Sequence, residues 1–177
     1  MYKIMLVDDE PNILSSLKRI FNREENFEIE VYDKPEDALK RAQTSNFDLF
    51  LSDFRMPEMD GVEFLSEVKK IQPESMRIIL SGYTDLEALL GAINEAQIYR
   101  FVTKPWDDYD LISTVKQALE FRDVLVENRR LADTVREQRD ELNKRRSALE
   151  KLEEAHPTLV EINWASDGSI IIDENMN

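Results

Sequence analysis

Five times within its first 120 residues the sequence passes from a short apolar stretch into a segment of helical character, and four of those stretches end on side chains able to do chemistry. Lys3 to Val7 runs into Asp8-Asp9-Glu10, and from Pro11 to Phe21 the residues Ile13, Leu14, Leu17, Ile20 and Phe21 recur on one helical face. Phe27, Ile29 and Val31 alternate with Glu28 and Glu30, the pattern of a strand with one wet face. Asp33 then opens a helix holding Ala38, Leu39 and Ala42. Phe47 to Leu51 is a third apolar run, closed by Ser52-Asp53. Asp60, with Glu63 three residues on, marks a helix start ahead of Phe64, Leu65 and Val68. Met76 to Leu80 and Ile98 to Val102 are the last two runs, separated by a capping box from Thr84 to Glu87.

Strand and helix alternating at this spacing predict a parallel sheet with helices on both faces. Ligands of such sheets sit beyond the carboxyl ends of the strands. The polar residues collect there: Asp8-Asp9 after the first strand, Asp53 after the third, Ser81 after the fourth and Lys104-Pro105 after the fifth.

Several functional classes are excluded or disfavoured by composition. The chain has no cysteine, which removes disulfides, thiolate metal sites and cysteine nucleophiles. No apolar run approaches the length of a membrane span, and the amino terminus lacks the long apolar region of a signal peptide, so a cytoplasmic protein without membrane contact is expected. Residues 1–120 hold 14 basic against 24 acidic side chains, residues 121–156 hold nine of each, and residues 157–177 hold four acids and no Lys or Arg. A nucleic-acid binder usually carries a basic stripe, and none is present, so no nucleic-acid partner is expected.

Three carboxylates brought together repel one another unless a hard cation sits among them, and oxygen-only ligands at an open site suit Mg²⁺, with Mn²⁺ as a substitute. Asp53 would attack phosphorus to give an acyl phosphate. The metal and the Lys104 ammonium would neutralise the phosphoryl oxygens, and the Ser81 hydroxyl would donate a hydrogen bond to one of them. Plainer roles stay open: Asp8, Asp9 and Glu10 as caps for the helix at Pro11, Ser81 as a turn residue, and Phe101 as ordinary core.

The segments Val7-Asp8-Asp9-Glu10, Leu51 to Gly61, Ile79-Leu80-Ser81-Gly82 and Phe101-Val102-Thr103-Lys104-Pro105 resemble, in order, the receiver domain of bacterial two-component response regulators. The resemblance covers residues 1–120. It implies a doubly wound five-stranded parallel sheet, flavodoxin-like, of order 2-1-3-4-5. It implies that Asp53 is the phosphoacceptor, supplied by a histidine kinase or a phosphotransfer protein. Asp8, Asp9, Asp53 and the backbone carbonyl of Arg55 would be the metal ligands. Ser81 would be the switch hydroxyl, Phe101 the aromatic whose rotamer reports phosphorylation, Lys104 the phosphate-binding lysine and Pro105 the residue after a cis peptide. Arg55 and Tyr83, two residues beyond Asp53 and Ser81, have side chains at the pocket mouth with no assigned role.

From Asp107 no Gly or Pro occurs until Pro157, a run far beyond ordinary helix length. Over residues 121–156 a heptad can be read, with Phe121, Asn128, Val135, Leu142 and Leu149 at a, and Val124, Leu131, Gln138, Arg145 and Leu152 at d. The apolar members and Asn128 form the expected seam of a parallel homodimeric coiled coil continuing the last receiver helix, with Glu141 at g facing Arg146 at e of the partner. Gln138 and Arg145 weaken that seam and leave a helix folded back on its own receiver as the alternative. Residues 157–177 read as a short hairpin: Thr158 to Asn163 and Ser169 to Ile172 are β-prone, Asp167-Gly168 is a turn signal, and Trp164 offers an anchor. His156, the only histidine, stands before Pro157 at the expected helix end, where a cation suits the dipole.

The expected function is a response regulator with no catalytic or DNA-binding output domain. Its only chemistry would be Mg²⁺-dependent self-phosphorylation and autodephosphorylation, and it would signal to an unidentified downstream protein through contacts made by the fourth helix, fifth strand and fifth helix. The alternative is a regulatory receiver fragment of a larger effector, such as a cyclic-dinucleotide phosphodiesterase or a transcription activator, suggested by Tyr99 to Asp107 with its Lys-Pro-Trp. One histidine is too few for a metal phosphohydrolase site, and no P-loop pattern occurs.

Overall fold

The computed structural model describes residues 1–82 and 96–155, together with the backbone of residues 163–164 and 170–171. In order the elements are β1 (Tyr2–Val7), α1 (Pro11–Phe21), β2 (Phe27–Tyr32), α2 (Pro35–Ala42), β3 (Leu49–Asp53), α3 (Gly61–Ile71), β4 (Met76–Ser81), β5 (Arg100–Thr103), α4 (Asp108–Ala155), β6 (Asn163–Trp164) and β7 (Ile170–Ile171). The helix expected from Thr84, and Tyr83 before it, lie outside the described residues.

The first five strands form one parallel sheet of order β2-β1-β3-β4-β5, which is the flavodoxin-like arrangement. Strands covered on both faces need apolar side chains at nearly every position, and β3 and β4 are buried throughout. Alternate residues feed two core layers. Met5, Val7, Phe50 and Ile79 pack with Ala38, Phe64, Leu65 and Val68 from α2 and α3. Ile4, Leu6, Leu49, Leu51, Ile78 and Leu80 pack with Leu14, Leu17 and Phe21 of α1 and with Leu111, Val115 and Ala118 of α4.

Some boundaries differ from the sequence reading, each for a local reason. Helix α2 begins at Pro35, not Asp33, because proline is favoured in the first turn, where its missing N–H costs nothing. Strand β3 begins at Leu49, because the Phe47 N–H is taken by the Gln72 side chain at 2.7 Å and does not join the ladder. Strand β5 begins at Arg100. The wet face expected of β2 is partly covered: Glu30 accepts from Arg41 of α2 at 2.9 Å through both carboxylate oxygens and pairs with Lys3 at 2.8 Å. Asp60 and Glu63 do form the capping box at the start of α3.

The chain divides into two compact units, Met1–Glu127 and Asn128–Asn177. In the first, α4 buries Leu111, Thr114, Val115, Ala118 and Leu119. In the second, every residue of α4 is exposed, and β6 and β7 pair antiparallel, Asn163 with Ile171 and Trp164 with Ile170. His156, Pro157 and the expected turn at Asp167-Gly168 lie outside the described residues. None of the described helices is long and apolar enough to cross a membrane.

Candidate functional site

Strand register assembles the site. Val7 pairs with Ser52, Asp53 with Leu80, and Ser81 with Thr103. The residues that follow or end these strands, Asp8, Asp53, Ser81 and Lys104, therefore stand level on the carboxyl rim. The Lys104 N–H donates to the Ser81 carbonyl at 2.8 Å, which extends the last ladder to that rim. The Lys104–Pro105 peptide is cis, as the resemblance implies.

Lys104 reaches both carboxylates, with Nζ 2.8 Å from Asp8 Oδ2 and 2.5 Å from Asp53 Oδ1. The remaining oxygens are held by backbone: Asp8 Oδ1 accepts from the Glu10 N–H and Asp53 Oδ2 from the Arg55 N–H, each at 2.9 Å. Asp8 is fully buried and Asp53 nearly so. Burial raises both carboxyl pKa values, against the opposing pull of the Lys104 ammonium. Burial works to lower the Lys104 pKa, but its bonds to Asp53 and Asp8 prevail and raise it.

Two carboxylates around one ammonium leave a net negative charge in a poorly solvated spot. That charge, and an oxygen-only donor set, fit a further hard cation of the Mg²⁺ type. Asp9, half-buried, does not complete a cluster with Asp8 and Asp53: among the described residues no three His, Cys, Asp or Glu side chains gather in a way that could hold a metal.

Ser81 Oγ is buried and has no hydrogen-bond partner among the described residues. A buried hydroxyl without a partner loses its interactions with water, so Ser81 suits an incoming oxygen. Phe101 is half-buried, and among the described residues it is part of neither core layer. Among the plainer roles, the capping of α1 is not made by the Glu10 side chain, which forms no cap hydrogen bond.

One requirement was not singled out by the sequence reading. A Cβ on Gly61 would lie 2.0 Å from the Asp53 carbonyl oxygen and 3.0 Å from its carbon, and the Gly61 N–H donates to the Phe54 carbonyl at 2.9 Å. Helix α3 therefore starts in direct contact with the backbone that presents Asp53. The signal was present as a glycine directly after an N-cap aspartate, but only the packing says what it touches.

Residues 4–116 match the response regulator receiver domain family. The chain is similar to the hydrogenase transcriptional regulatory protein HoxA of Cupriavidus necator, at 39% identity over 66% of this chain and 24% of the relative. It is similar to the transcriptional regulatory protein GlrR of Escherichia coli, at 31% identity over 66% of this chain and 26% of that one. It thus spans about a quarter of the length of these curated relatives. Among solved structures it resembles the signal receiver domain of an HD domain-containing protein from Pseudomonas fluorescens, with a TM-score of 0.67 and 33% identity, covering 71% of this chain and 92% of that one. A structure described as adenylate cyclase from Rhodopirellula baltica aligns with a TM-score of 0.70 and 30% identity, covering 75% of this chain and 97% of that one. With this fold, this rim and a family match over most of its length, the chain belongs to the response regulator receiver domain family.

Proposed function

We propose that Asp53 accepts a phosphoryl group from a histidine kinase or phosphotransfer protein, and that the modified receiver signals by protein contact and by self-association of α4. The observation that carries this reading is the buried Asp53 carboxylate, held through one oxygen by Lys104 and through the other by the Arg55 N–H. A carboxylate oxygen of Asp53 attacks phosphorus, the bond from phosphorus to the donor imidazole nitrogen breaks, and the imidazole leaves with its electron pair. Lys104 is placed to follow the phosphoryl oxygens as their negative charge leaves the donor. Ser81 donates its hydroxyl hydrogen to one of those oxygens, and Phe101 turns into the space this movement opens. Bound Mg²⁺, or Mn²⁺ in its place, would be held by Asp8, Asp53 and the Arg55 carbonyl, with Asp9 drawn in to complete the ligand set, and would supply further charge neutralisation.

The self-association is a coiled coil between two copies. Its support is the exposure of Phe121, Val124, Leu131, Val135, Leu142, Leu149 and Leu152 along one heptad face. A second reading, a receiver that governs a larger effector, is supported by the short share of the curated relatives that this chain matches and by its likeness to the signal receiver domain of an HD domain-containing protein and to a structure described as adenylate cyclase.

Acetyl phosphate with Mg²⁺, followed by intact-mass measurement, tests the phosphoacceptor reading. The expected result is one added phosphoryl group on the native chain and none on Asp53→Asn. Labelling of Asp53→Asn to the same extent would move the acceptor elsewhere.

A further inference from the structure

Phe121 belongs to two sets at once. It is the first a position of the α4 heptad and is 47% exposed. Its ring also lies against Tyr99, with centroids 5.7 Å apart and planes at 31°. Tyr99 is tied to the sheet: its N–H donates to the Arg77 carbonyl at 2.8 Å, and its ring packs with the layer containing Ile78, Leu80 and Leu111. It stands directly before β5, and its ring packs on the core layer that Val102 of that strand also joins.

The helix backbone around Phe121 is pinned from another direction. Tyr2 Oη donates to Asp123 Oδ2 at 2.6 Å, and Arg122 Nη1 pairs with Asp48 Oδ1 at 3.0 Å. Both bonds run to the amino-terminal end of the sheet. At 3.6 residues per turn the stripe Leu111, Val115, Ala118 and Arg122 faces the sheet, and Phe121 lies roughly 90° and Val124 roughly 150° around the helix from it. Val124 is 57% exposed. The seam therefore begins within the first unit, on a side its own sheet does not cover, and its opening layer is in contact with Tyr99. A change at β5 can move the Phe121 ring without turning the pinned helix.

We propose that Tyr99 gates the first layer of the α4 seam, and that the occupant of the seam is a second copy of this chain. The choice of a second copy rests on charge complementarity, since residues 121–156 carry nine basic and nine acidic side chains, and on the regular apolar a and d positions. The proposal deepens the function proposed above and rests on it. In the unmodified receiver Tyr99 holds the Phe121 ring. When Ser81 and Phe101 respond to the phosphoryl group, Tyr99 shifts with the β5 segment, Phe121 is released into the seam, and self-association tightens. An aromatic pair of this kind corresponds to about a threefold to tenfold change in dissociation constant.

The test is sedimentation equilibrium of the full chain in Mg²⁺, with and without fluoroberyllate as the phosphoryl mimic, while the ¹⁹F NMR signal of bound fluoroberyllate reports mimic binding. Fluoroberyllate is expected to tighten the native dimer about threefold to tenfold. Tyr99→Ala, still binding fluoroberyllate, is expected to be equally tight in both states, and Tyr99→Phe to restore the difference. Phe121→Leu keeps an apolar seam layer without the ring and should also be insensitive, which covers the case of a poorly folded Tyr99→Ala. A native-sized response in either insensitive variant overturns the gate. A native chain that binds fluoroberyllate but stays monomeric overturns the second copy as occupant and leaves a helix of another protein. A native chain that shows no bound fluoroberyllate removes the phosphoacceptor reading itself, and the gate with it.

Discussion

Asp8 and Asp53 are held alike, each by Lys104 through one oxygen and by a backbone N–H through the other, and the contacts around them say which substitutions will be felt. Gly61 is the most demanding neighbour: a methyl group there meets the Asp53 carbonyl oxygen at 2.0 Å. Because that atom is backbone, the strand end must move to admit it. Gly61→Ala is expected to cost about 1–3 kcal/mol in urea unfolding and to slow labelling by acetyl phosphate. Far from the rim, Arg41 holds Glu30 well below the usual carboxylate range, at about 2, with Lys3 and Tyr32 adding to it. A depressed carboxyl pKa stabilises the fold above the unfolded value, and the gain is lost as pH falls toward the folded one. The Glu30 carboxylate is 21% exposed and the Arg41 side chain 37%, so solvent screening reduces the effect to about 1–2 kcal/mol. Glu30→Gln should be less stable than the native chain by that amount at pH 7. The gap should close between about pH 4.5 and pH 2, as read from denaturation curves across that range.

Among the elements, α3 and α4 are stabilised by opposite means. Helix α3 is a short packed helix with a complete capping box, in which the Asp60 carboxylate accepts the Val62 and Glu63 N–H groups at 2.8 Å. Asp60→Ala is expected to lower stability by about 1 kcal/mol, in unfolding curves, with Asp53 still labelled. Helix α4 is packed only at its start. Its second half shows surface ion pairs such as Arg145–Glu141 at 2.5 Å and Arg146–Glu150 at 3.0 Å, which contribute little each. Leu142, 65% exposed on a single chain, stabilises nothing there unless a second helix covers it. Leu142→Glu is expected to leave the melting of the receiver unchanged and to weaken self-association at least about tenfold by sedimentation.

For the whole molecule the division at Glu127 has a thermodynamic consequence. The first unit has its own two-layer core, so its unfolding should not depend on protein concentration. Under the proposed self-association, helicity of the second unit comes mainly from association, which mass action makes concentration-dependent. Circular dichroism melts at several concentrations should therefore separate into a fixed transition and one that moves upward with concentration. A chain ending at Glu127 should retain only the fixed one.

The sheet was legible in the sequence because strands buried on both faces leave an unmistakable apolar run, and because the polar rim residues must follow those runs directly. Asp8, Asp53, Ser81 and Lys104 could be named from that rule alone, and the length of α4 from the absence of Gly and Pro between Asp107 and Pro157. What the sequence could not express was any contact set by distance between elements. That Lys104 bridges Asp8 and Asp53, leaving Asp9 aside, depends on strand register. That Glu30 on the wet side of β2 is clasped by Arg41 depends on where α2 lies over the sheet. That Gly61 touches the backbone of Asp53, and that Phe121 rests on Tyr99, depends on helix placement to within an ångström or two. Periodicity encodes which face of an element is buried. Only the packed fold decides which atoms then meet.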